Sequence, residues 1–212
     1  MKKLDLRRKY KDLYQPSARK VEEVEVPELS FAMIDGRIEK GHAPGDSPAF
    51  MAAVQALFGI SYTLKFQSKQ RKTKAIDYPV MALEALWWVE DGHFELSKPD
   101  NWRWRAMMMQ PEHIDADMFA EALAQLARKK PSPALERLRL ERFGEGLCIQ
   151  TMHIGPYSTE PATVERMRAF AQENGYLLAN QHHEIYLGDP RRSAPEKLKT
   201  VLRHQAEKRH VE

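Results

Sequence analysis

A carboxylate inside a strand-forming segment is the feature of this sequence that most directly suggests chemistry. Residues 183–187 read His-Glu-Ile-Tyr-Leu, a composition that predicts a short strand, and a Gly-Asp-Pro turn follows it. Because alternate side chains share one face of a strand, we expect Glu184 and Tyr186 on one face and His183 on the other. Glu184 then has two interpretations. It is a buried pocket acid, or it lies on a solvated face or pairs with His183 or Arg191.

A second acid and a set of large apolar side chains accompany this segment. Glu84 lies in a predicted strand at residues 78–89, where it shares a face with Trp88 while Trp87 points the other way. Such apolar side chains most often form core, but methionines repack easily and suit a surface that receives varied apolar ligands. A carboxylate among them would supply the polar anchor that a pocket needs. The set comprises Tyr62, Phe66, Trp87, Trp88, Trp102, Trp104, Met107, Met108, Met109, Tyr157 and Tyr186.

The composition is that of an ordinary soluble globular protein. Apolar residues make up 42% and charged residues 30% of the 212 residues, and the net charge is +3. Nucleic-acid binding would need a clustered basic face, which these interspersed charges do not form. The single cysteine, Cys148, excludes an intramolecular disulfide, and no signal peptide or membrane-spanning segment is predicted. We therefore expect a cytoplasmic protein with no nucleic-acid or membrane partner.

Motifs for metals and cofactors are missing from the sequence. His153, His182 and His183 could meet in a folded chain, but their spacing matches no zinc signature, and neighbouring histidines on a strand diverge. The sequence also contains no phosphate-cradling glycine loop and no nucleophile elbow. We predict no metal and no cofactor.

The predicted elements repeat along the chain. Residues 1–20 read as a charged N-terminal arm, and residues 21–212 are expected to form one domain. The halves match in kind, with a glycine after the first strand (Gly36, Gly155) and an acid inside the second strand (Glu84, Glu184). This order favours a pseudo-symmetric α+β domain with sheets that curl around a shared cleft. The predicted elements are a strand at 21–34 broken at Pro27, a helix at 47–66, strands at 78–89 and 101–110, a linking helix at 115–130, strand material at 138–152 with a glycine turn, a helix at 158–174, and strands at 183–187 and 199–204.

Three segments together resemble the GyrI-like (gyrase-inhibitor-like) small-molecule-binding domain. They are Leu-Glu-Ala-Leu-Trp-Trp at 83–88, His-Ile-Gly-Pro-Tyr at 153–157, and His-Glu-Ile-Tyr-Leu-Gly-Asp-Pro-Arg-Arg at 183–192. Residues 3–6 and 10–14 also resemble the stand-alone bacterial members, which carry no DNA-binding helix-turn-helix. The resemblance implies a pseudo-two-fold duplication of β-α-β-β units, the SOUL/GyrI-like fold, with curved antiparallel sheets around a central ligand groove.

The same resemblance implies a function for that groove. The family binds amphipathic, often cationic or aromatic molecules there, and some stand-alone relatives are cyclopropanoid cyclopropyl hydrolases, which detoxify DNA-alkylating natural products. The family's groove acid corresponds to Glu184, which we predict as the base, with Tyr157 or Tyr62 as the donor to the substrate oxygen. The predicted ligand-binding residues are Tyr62, Phe66, Glu84, Trp88, Trp104, Met108 and Tyr186.

Two other functions stay open on this evidence. A non-catalytic binder would sequester or sense hydrophobic cations, with Glu184 supplying only charge complementarity. A module that acts on gyrase rests on family analogy alone. We expect the partner to be a hydrophobic or aromatic small molecule, and the chain to be a monomer or a weak homodimer.

Overall fold

The computed structural model of the chain describes residues 1–209, so residues 210–212 of the predicted domain lie outside it. The helices are α1 (Leu6–Lys9), α2 (Lys11–Tyr14), α3 (Pro48–Gln70), α4 (Ala116–Lys129) and α5 (Glu160–Glu173). The strands are β1 (Lys2–Lys3), β2 (Glu22–Val26), β3 (Leu29–Arg37), β4 (Ile76–Asp77), β5 (Leu83–Trp88), β6 (Arg103–Gln110), β7 (Arg139–Phe143), β8 (Gly146–Ile154), β9 (Tyr176–Leu178), β10 (His182–Tyr186) and β11 (Lys199–Lys208).

One antiparallel sheet dominates the structure. Its strands follow the order β2-β8-β11-β10-β5-β6-β3-β7, and β9 pairs with the C-terminal end of β11. Two β-α-β-β units build it, β3-α3-β5-β6 and β8-α5-β10-β11, and they meet where β5 pairs with β10. This arrangement confirms the predicted α+β duplication.

The two units complete each other's sheet. β2, which precedes the first unit, pairs with β8 of the second, and β7, which precedes the second unit, pairs with β3 of the first. The two crossing connections touch, because a Cβ atom on Gly144 would lie 2.9 Å from the backbone nitrogen of Glu28. Each unit therefore depends on a strand that belongs to the other in sequence.

The helix α3 lies across the first half of the sheet. Ser47 caps it by accepting a hydrogen bond from the Phe50 backbone N–H at 3.1 Å, and Pro48 occupies its first turn. Its buried stripe packs on the sheet, and a Cβ atom on Gly59 would lie 3.1 Å from Leu126 of α4. This contact explains the glycine inside the helix. The 23 residues of α3 are long and apolar enough to cross a membrane, contrary to the sequence prediction, but their buried stripe belongs to the core of this domain.

The arm of residues 1–20 covers the opposite face of the sheet. Leu6, Leu13 and Tyr14 are buried there, in an apolar cluster that includes Met107 of β6 and Ile185 of β10. Helices thus lie on one face of β5 and β10, and the arm lies on the other.

A buried polar network fixes the arm to the sheet. Arg203 donates from Nη2 to the Leu13 carbonyl at 2.8 Å and from Nη1 to Glu145, whose carboxylate lies 2.9 Å from His183 Nδ1. The Gln150 side chain donates to the Asp12 carbonyl at 2.6 Å. Glu84 also lies 3.2 Å from His183 Nε2. The acids Glu84 and Glu145 are therefore paired with His183 and Arg203 under the arm.

Some predicted boundaries differ from the observed ones. The strand predicted at 78–89 begins only at Leu83, after Pro79, which has no N–H for a ladder. The strand material at 138–152 divides into β7 and β8 at Gly146, whose φ of +65° is a left-handed conformation that favours glycine. Pro27 likewise separates β2 from β3, as predicted.

Candidate functional site

Glu184 lies at the centre of the sheet on the face covered by the helices. In β10 it pairs with Ala85 of β5 and Leu202 of β11, and it is only 7% exposed. The interpretation as a solvated residue, or as a partner of His183 or Arg191, is wrong. His183 points to the arm face, and Arg191 pairs with Asp189.

A tight turn after β8 brings a second acid to Glu184. Gly155 has a φ of +141°, and a Cβ atom there would lie 3.1 Å from Thr159 Oγ1, so the turn needs glycine. His153 braces the turn, with Nδ1 2.9 Å from Thr163 Oγ1 and Nε2 3.2 Å from the Pro156 carbonyl oxygen. The helix α5 starts directly afterwards with Glu160, which is 1% exposed.

Two carboxyl groups and an imidazole meet in this buried space. One oxygen or ring nitrogen that could bind a metal ion, from each of Glu160, His182 and Glu184, lies within 4.8 Å of the other two. His182 Nε2 is 3.1 Å from Glu184 Oε1. Carboxylate and imidazole atoms at this spacing could coordinate a divalent cation, although the sequence predicts no metal.

The two acids have opposite pKa shifts. Burial alone would raise the pKa of Glu184, but the contacts with His182, Tyr186 and Glu160 outweigh burial and hold that pKa below its ordinary value. Burial and the neighbouring Glu184 raise the pKa of Glu160 to about 9. At neutral pH the pair therefore carries one negative charge, on Glu184.

Behind Glu184, two histidines lead back into the core. His182 Nδ1 is 3.0 Å from His204 Nε2, and His204 Nδ1 faces the Ala179 carbonyl oxygen at 3.4 Å. Burial and the neighbouring His182 lower the pKa of His204 to about 3, so this ring is neutral. If His204 Nδ1–H donates to the carbonyl, then His204 Nε2 accepts from His182 Nδ1–H. His182 Nε2 is left facing Glu184.

Two tyrosines and an aromatic cluster complete the site. Trp87 Nε1–H donates to Tyr186 Oη at 3.2 Å, and the ring of Tyr157 meets that of Tyr186 edge to face with centroids 5.9 Å apart. Burial, with Glu184 and Glu160, raises the pKa of Tyr157 to about 12, so its hydroxyl remains a donor. Tyr157 is 39% exposed and stands on the solvent side of the acids. Buried aromatic rings pack beside the site. Trp87 contacts Trp102, Trp102 contacts Phe94, and Phe94 stacks on the His182 ring.

Two of the predicted ligand-binding residues lie on the wrong face for this site. Glu84 pairs with Ile185 across β5 and β10, and it therefore points to the arm face, where it accepts a hydrogen bond from the Tyr14 hydroxyl at 2.5 Å. Trp88 packs against the same arm cluster. The prediction that Glu84 and Trp88 share a groove with Glu184 is wrong, because the register of β5 and β10 places Ala85 and Trp87 beside Glu184 instead.

Other predicted residues lie on the helix face without meeting the acids. Trp104 and Met108 are fully buried under α3, and Trp104 packs on Phe50 and on the backbone of Gly36. They are core residues, which corrects the prediction that they line a ligand site. Tyr62 and Phe66 are half-exposed on α3, and within residues 1–209 neither makes a hydrogen bond or ring contact with the Glu184 cluster.

Sequence reasoning gave no role at the Glu184 site to three groups, Glu160, His182 and His204. His182 carried a usable signal, because it stands two residues before Glu184 and must share its strand face. Glu160 gives no such signal, because acids are common in the first turn of a helix. His204 lies 22 residues from His182, and only the pairing of β10 with β11 brings them together.

A separate concavity lies on the arm side of the sheet. Its volume is about 550 Å³, and Lys2, Leu6, Lys9, Leu29 and Arg142 are among its lining residues. Among its charged side chains, Lys9 pairs with Glu112 and Arg142 pairs with Glu28. Buried groups with shifted pKa values lie both at Glu184 and in the arm network, but the Glu184 group also lies beside the partly exposed Tyr157, so we assign the functional site there.

Comparison with known proteins agrees with this fold. A family model described as the GyrI-like small molecule binding domain matches residues 101–205. The crystal structure of an uncharacterized conserved protein from Listeria innocua is 37% identical, with a TM-score of 0.87, and the match covers 96% of this chain and 100% of that one. The chain belongs to the GyrI-like family.

Two further GyrI-like neighbours are named as hydrolases. Both are crystal structures from Listeria innocua, 36% and 34% identical to this chain, with TM-scores of 0.85 and 0.82. The matches cover 97% and 96% of this chain and 100% of each neighbour. Among proteins with curated functions, none matches the chain.

Proposed function

We propose that this GyrI-like protein binds flat, amphipathic aromatic molecules at Glu184 and hydrolyses cyclopropanoid DNA-alkylating toxins. The observation that carries the proposal is the buried Glu184 carboxylate, kept ionised by its contacts and flanked by the hydroxyl groups of Tyr157 and Tyr186. The hydrolase names of the two Listeria innocua neighbours support the reaction class. The proposal places the protein in the cytoplasm, where it would meet such a toxin before the toxin reaches DNA.

The reaction needs a base for water and a donor for an oxygen. Water attacks a ring carbon of the cyclopropane, the strained C–C bond breaks, and its electron pair moves into the dienone, whose oxygen becomes a phenolate. Glu184 accepts the proton that water loses, and the Tyr157 hydroxyl donates to the phenolate oxygen. Strain release and aromatisation drive the step, so a carboxylate of low pKa is a sufficient base. Solvent returns both groups to their starting protonation states.

A second function is favoured by the same low pKa. A carboxylate that stays ionised when buried is a stable counter-charge, which suits the binding of a hydrophobic cation without turnover. Such a binder would return its ligand chemically unchanged.

A mass assay separates the two functions. The intact protein and Glu184→Gln are each incubated with a cyclopropane-bearing DNA-alkylating compound, and the products are resolved by chromatography and mass spectrometry. Glu165→Gln is the matched control, because Glu165 is an exposed residue on α5. We expect a product heavier by one water from the intact protein and the control, and a rate lower by about 100-fold or more for Glu184→Gln.

The alternatives give different results. Unchanged compound that binds the intact protein, and binds Glu184→Gln more weakly, would identify a sequestering protein. Equal turnover by the intact protein and Glu184→Gln would remove Glu184 from the mechanism.

A further inference from the structure

Glu160 is a buried acid that the proposed reaction does not use. It is 1% exposed, and within residues 1–209 its Oε1 atom has no hydrogen-bond partner. His182 is also 1% exposed, and its Nε2 atom has no hydrogen-bond partner in the same range. Both belong to the group of Glu160, His182 and Glu184, which we call the acid–histidine cluster. Buried polar atoms normally have partners, so two unpartnered atoms in one small space point to a ligand.

We propose that the acid–histidine cluster binds a divalent transition-metal ion, for which Zn²⁺ is the probe. One carboxylate oxygen each from Glu160 and Glu184 and the Nε2 atom of His182 would hold the ion. The proposal goes beyond the hydrolysis proposed above and does not require it, because the cluster belongs to the protein without a substrate.

The contact between His182 and Glu184 has the length found between two ligands of one cation. His182 Nε2 lies 3.1 Å from Glu184 Oε1 without forming a hydrogen bond, so the direction and not the distance is unsuitable. Two ligand atoms about 2.1 Å from a zinc ion, at bond angles of about 90–110°, are about 3.0–3.4 Å apart, and the ion lies beside the line that joins them. A cation there accounts for both the short distance and the missing hydrogen bond. The Glu160 ligand atom lies within 4.8 Å of the other two, a gap that its rotatable side chain can close.

The second ring nitrogen of His182 is held as in metal-binding histidines. His182 Nδ1 lies 3.0 Å from His204 Nε2, and His204 Nδ1 lies 3.4 Å from the Ala179 carbonyl oxygen. Because a carbonyl oxygen only accepts, His204 Nδ1 donates to it, and His204 Nε2 accepts from His182 Nδ1. Such a hydrogen bond fixes the tautomer and the orientation of a ligating imidazole. The lone pair of His182 Nε2 is therefore directed into the cluster.

The charged groups around the cluster favour a cation. On the opposite face of β10, His183 lies between Glu145 and Glu84, and Arg203 adds a second basic group, so the charges there are paired within the protein. Among residues 1–209, no lysine or arginine pairs with an acid of the acid–histidine cluster, whose one basic member is His182. Buried acids are normally paired or coordinate metal ions, and a divalent cation is the partner that fits these ligands.

The types of ligand select the kind of cation. Carboxylates bind Mg²⁺ and Ca²⁺ as well as transition metals, whereas an imidazole ligand favours Zn²⁺ and other transition-metal ions. Three protein ligands leave at least one position for water, as in catalytic rather than structural zinc sites. The site should therefore take one such ion per chain and keep a position for a further oxygen ligand.

Titration with zinc chloride tests the proposal without an organic substrate. The intact protein is freed of metals with a chelator and titrated by calorimetry, and bound zinc is counted by elemental analysis. We expect one Zn²⁺ per chain and an affinity lower by about 100-fold or more in Glu160→Gln, since changes even to groups behind the ligands cost about 10–100-fold. The controls are Glu165→Gln, at an exposed acid of α5, and His42→Gln, at a partly exposed histidine 3.6 Å from Asp46. Both controls should bind zinc as the intact protein does.

The possible results are distinct. Absence of bound zinc, equal affinity in the intact protein and Glu160→Gln, or binding that is lost in His42→Gln overturns the proposal. Should Glu160→Gln not fold, the histidine ring signals in NMR spectra of the intact protein replace it. The signals of His182 should shift as one equivalent of Zn²⁺ is added, and shifts confined to other histidines overturn the proposal. If zinc binds as expected and the mass assay shows no turnover, the hydrolase function fails while the cation site stands.

Discussion

Tyr157 and Tyr62 are the two residues that the sequence offers as donor to the substrate oxygen. The structure separates them, because Tyr157 lies against Tyr186 and its hydroxyl senses the charge of Glu184, whereas Tyr62 is half-exposed on α3. A donor must lie within reach of the atom on which charge develops. Tyr157 is the residue that meets this condition at the Glu184 site.

Replacement of Tyr157 by phenylalanine should therefore reduce turnover with little change in binding. The ring and its edge-to-face contact with Tyr186 remain, while the donor is lost, so we expect kcat to fall by about 100-fold. Steady-state kinetics and a direct binding titration measure the two effects. Tyr62→Phe is the control and should keep its kcat; a larger loss in Tyr62→Phe than in Tyr157→Phe would reverse the assignment.

At the scale of elements, the register of β5 and β10 divides their side chains between two sites. Glu184 and Trp87 face the helices, and His183 and Glu84 face the arm. The arm site is a closed network of charges and hydrogen bonds, with Arg203 at its centre. This network thus anchors β10, the strand that carries the proposed catalytic acid, from the opposite face of the sheet.

Removal of one member of that network should be costly. Arg203→Met leaves Glu145 with one partner fewer in a buried position and releases the Leu13 carbonyl, so we expect a loss of about 3–5 kcal/mol in the free energy of unfolding. Chemical denaturation provides the measurement. Arg168→Met, which breaks an exposed pair with Glu165, should change stability by less than about 1 kcal/mol. A similar small loss in Arg203→Met would mean that the network does not hold the arm.

The packing of β3 beside β6 depends on the absence of a side chain at Gly36. A Cβ atom there would come within 2.2 Å of the Trp104 ring, which pairs with Gly36 across β3 and β6 and has no free space to move into. Gly36→Ala should therefore lower stability by about 1–3 kcal/mol through overpacking. Gly45→Ala, where a Cβ atom meets nothing within 4 Å, is the control and should leave the thermal midpoint nearly unchanged. Equal midpoints for the two variants would contradict the contact.

The stability of the whole molecule should depend on pH in a predictable direction. Burial lowers the pKa of His183, but Glu145 and Glu84 outweigh it and raise the pKa to about 9, so this stabilisation is lost as pH rises from about 6.5 to 9. Glu160 acts in the same direction from about pH 4.5 to 9. His183 and Arg203 outweigh burial and lower the pKa of Glu145 to about 2, so its stabilisation is lost as pH falls below about 4.5.

These signs place the maximum of stability in the mildly acidic range. His204, whose pKa is lowered, opposes Glu160 between about pH 4.5 and 6.5, because it stabilises the fold less as pH falls. Thermal unfolding followed across pH should therefore show a plateau there and a decline on both sides. In Glu160→Gln the alkaline decline should be shallower. An intact protein most stable above pH 8 would contradict the assigned shifts of His183 and Glu160.

The sequence was sufficient for the local features of this fold. The period-two pattern of residues 183–187 predicted β10 and the separation of Glu184 from His183, and the repeated order of elements predicted the duplication. It could not tell which of Trp87 and Trp88 faces the helices, because that depends on pairing with β10 and β6. The partnership of Glu160 with Glu184 depends on how α5 docks, which no local pattern records.

The exchange of β2 and β7 between the two units bears on how the chain reaches this structure during synthesis. A nascent chain that has emerged through β10 still leaves β8 and β10 with open edges, because β11, the strand that lies between them, is made later. The first unit cannot finish independently, since β7 must arrive before β3 is covered. Long-range pairing of this kind folds slowly, and exposed strand edges associate with other chains. Truncation before Lys199 should therefore yield aggregated protein rather than a smaller folded domain.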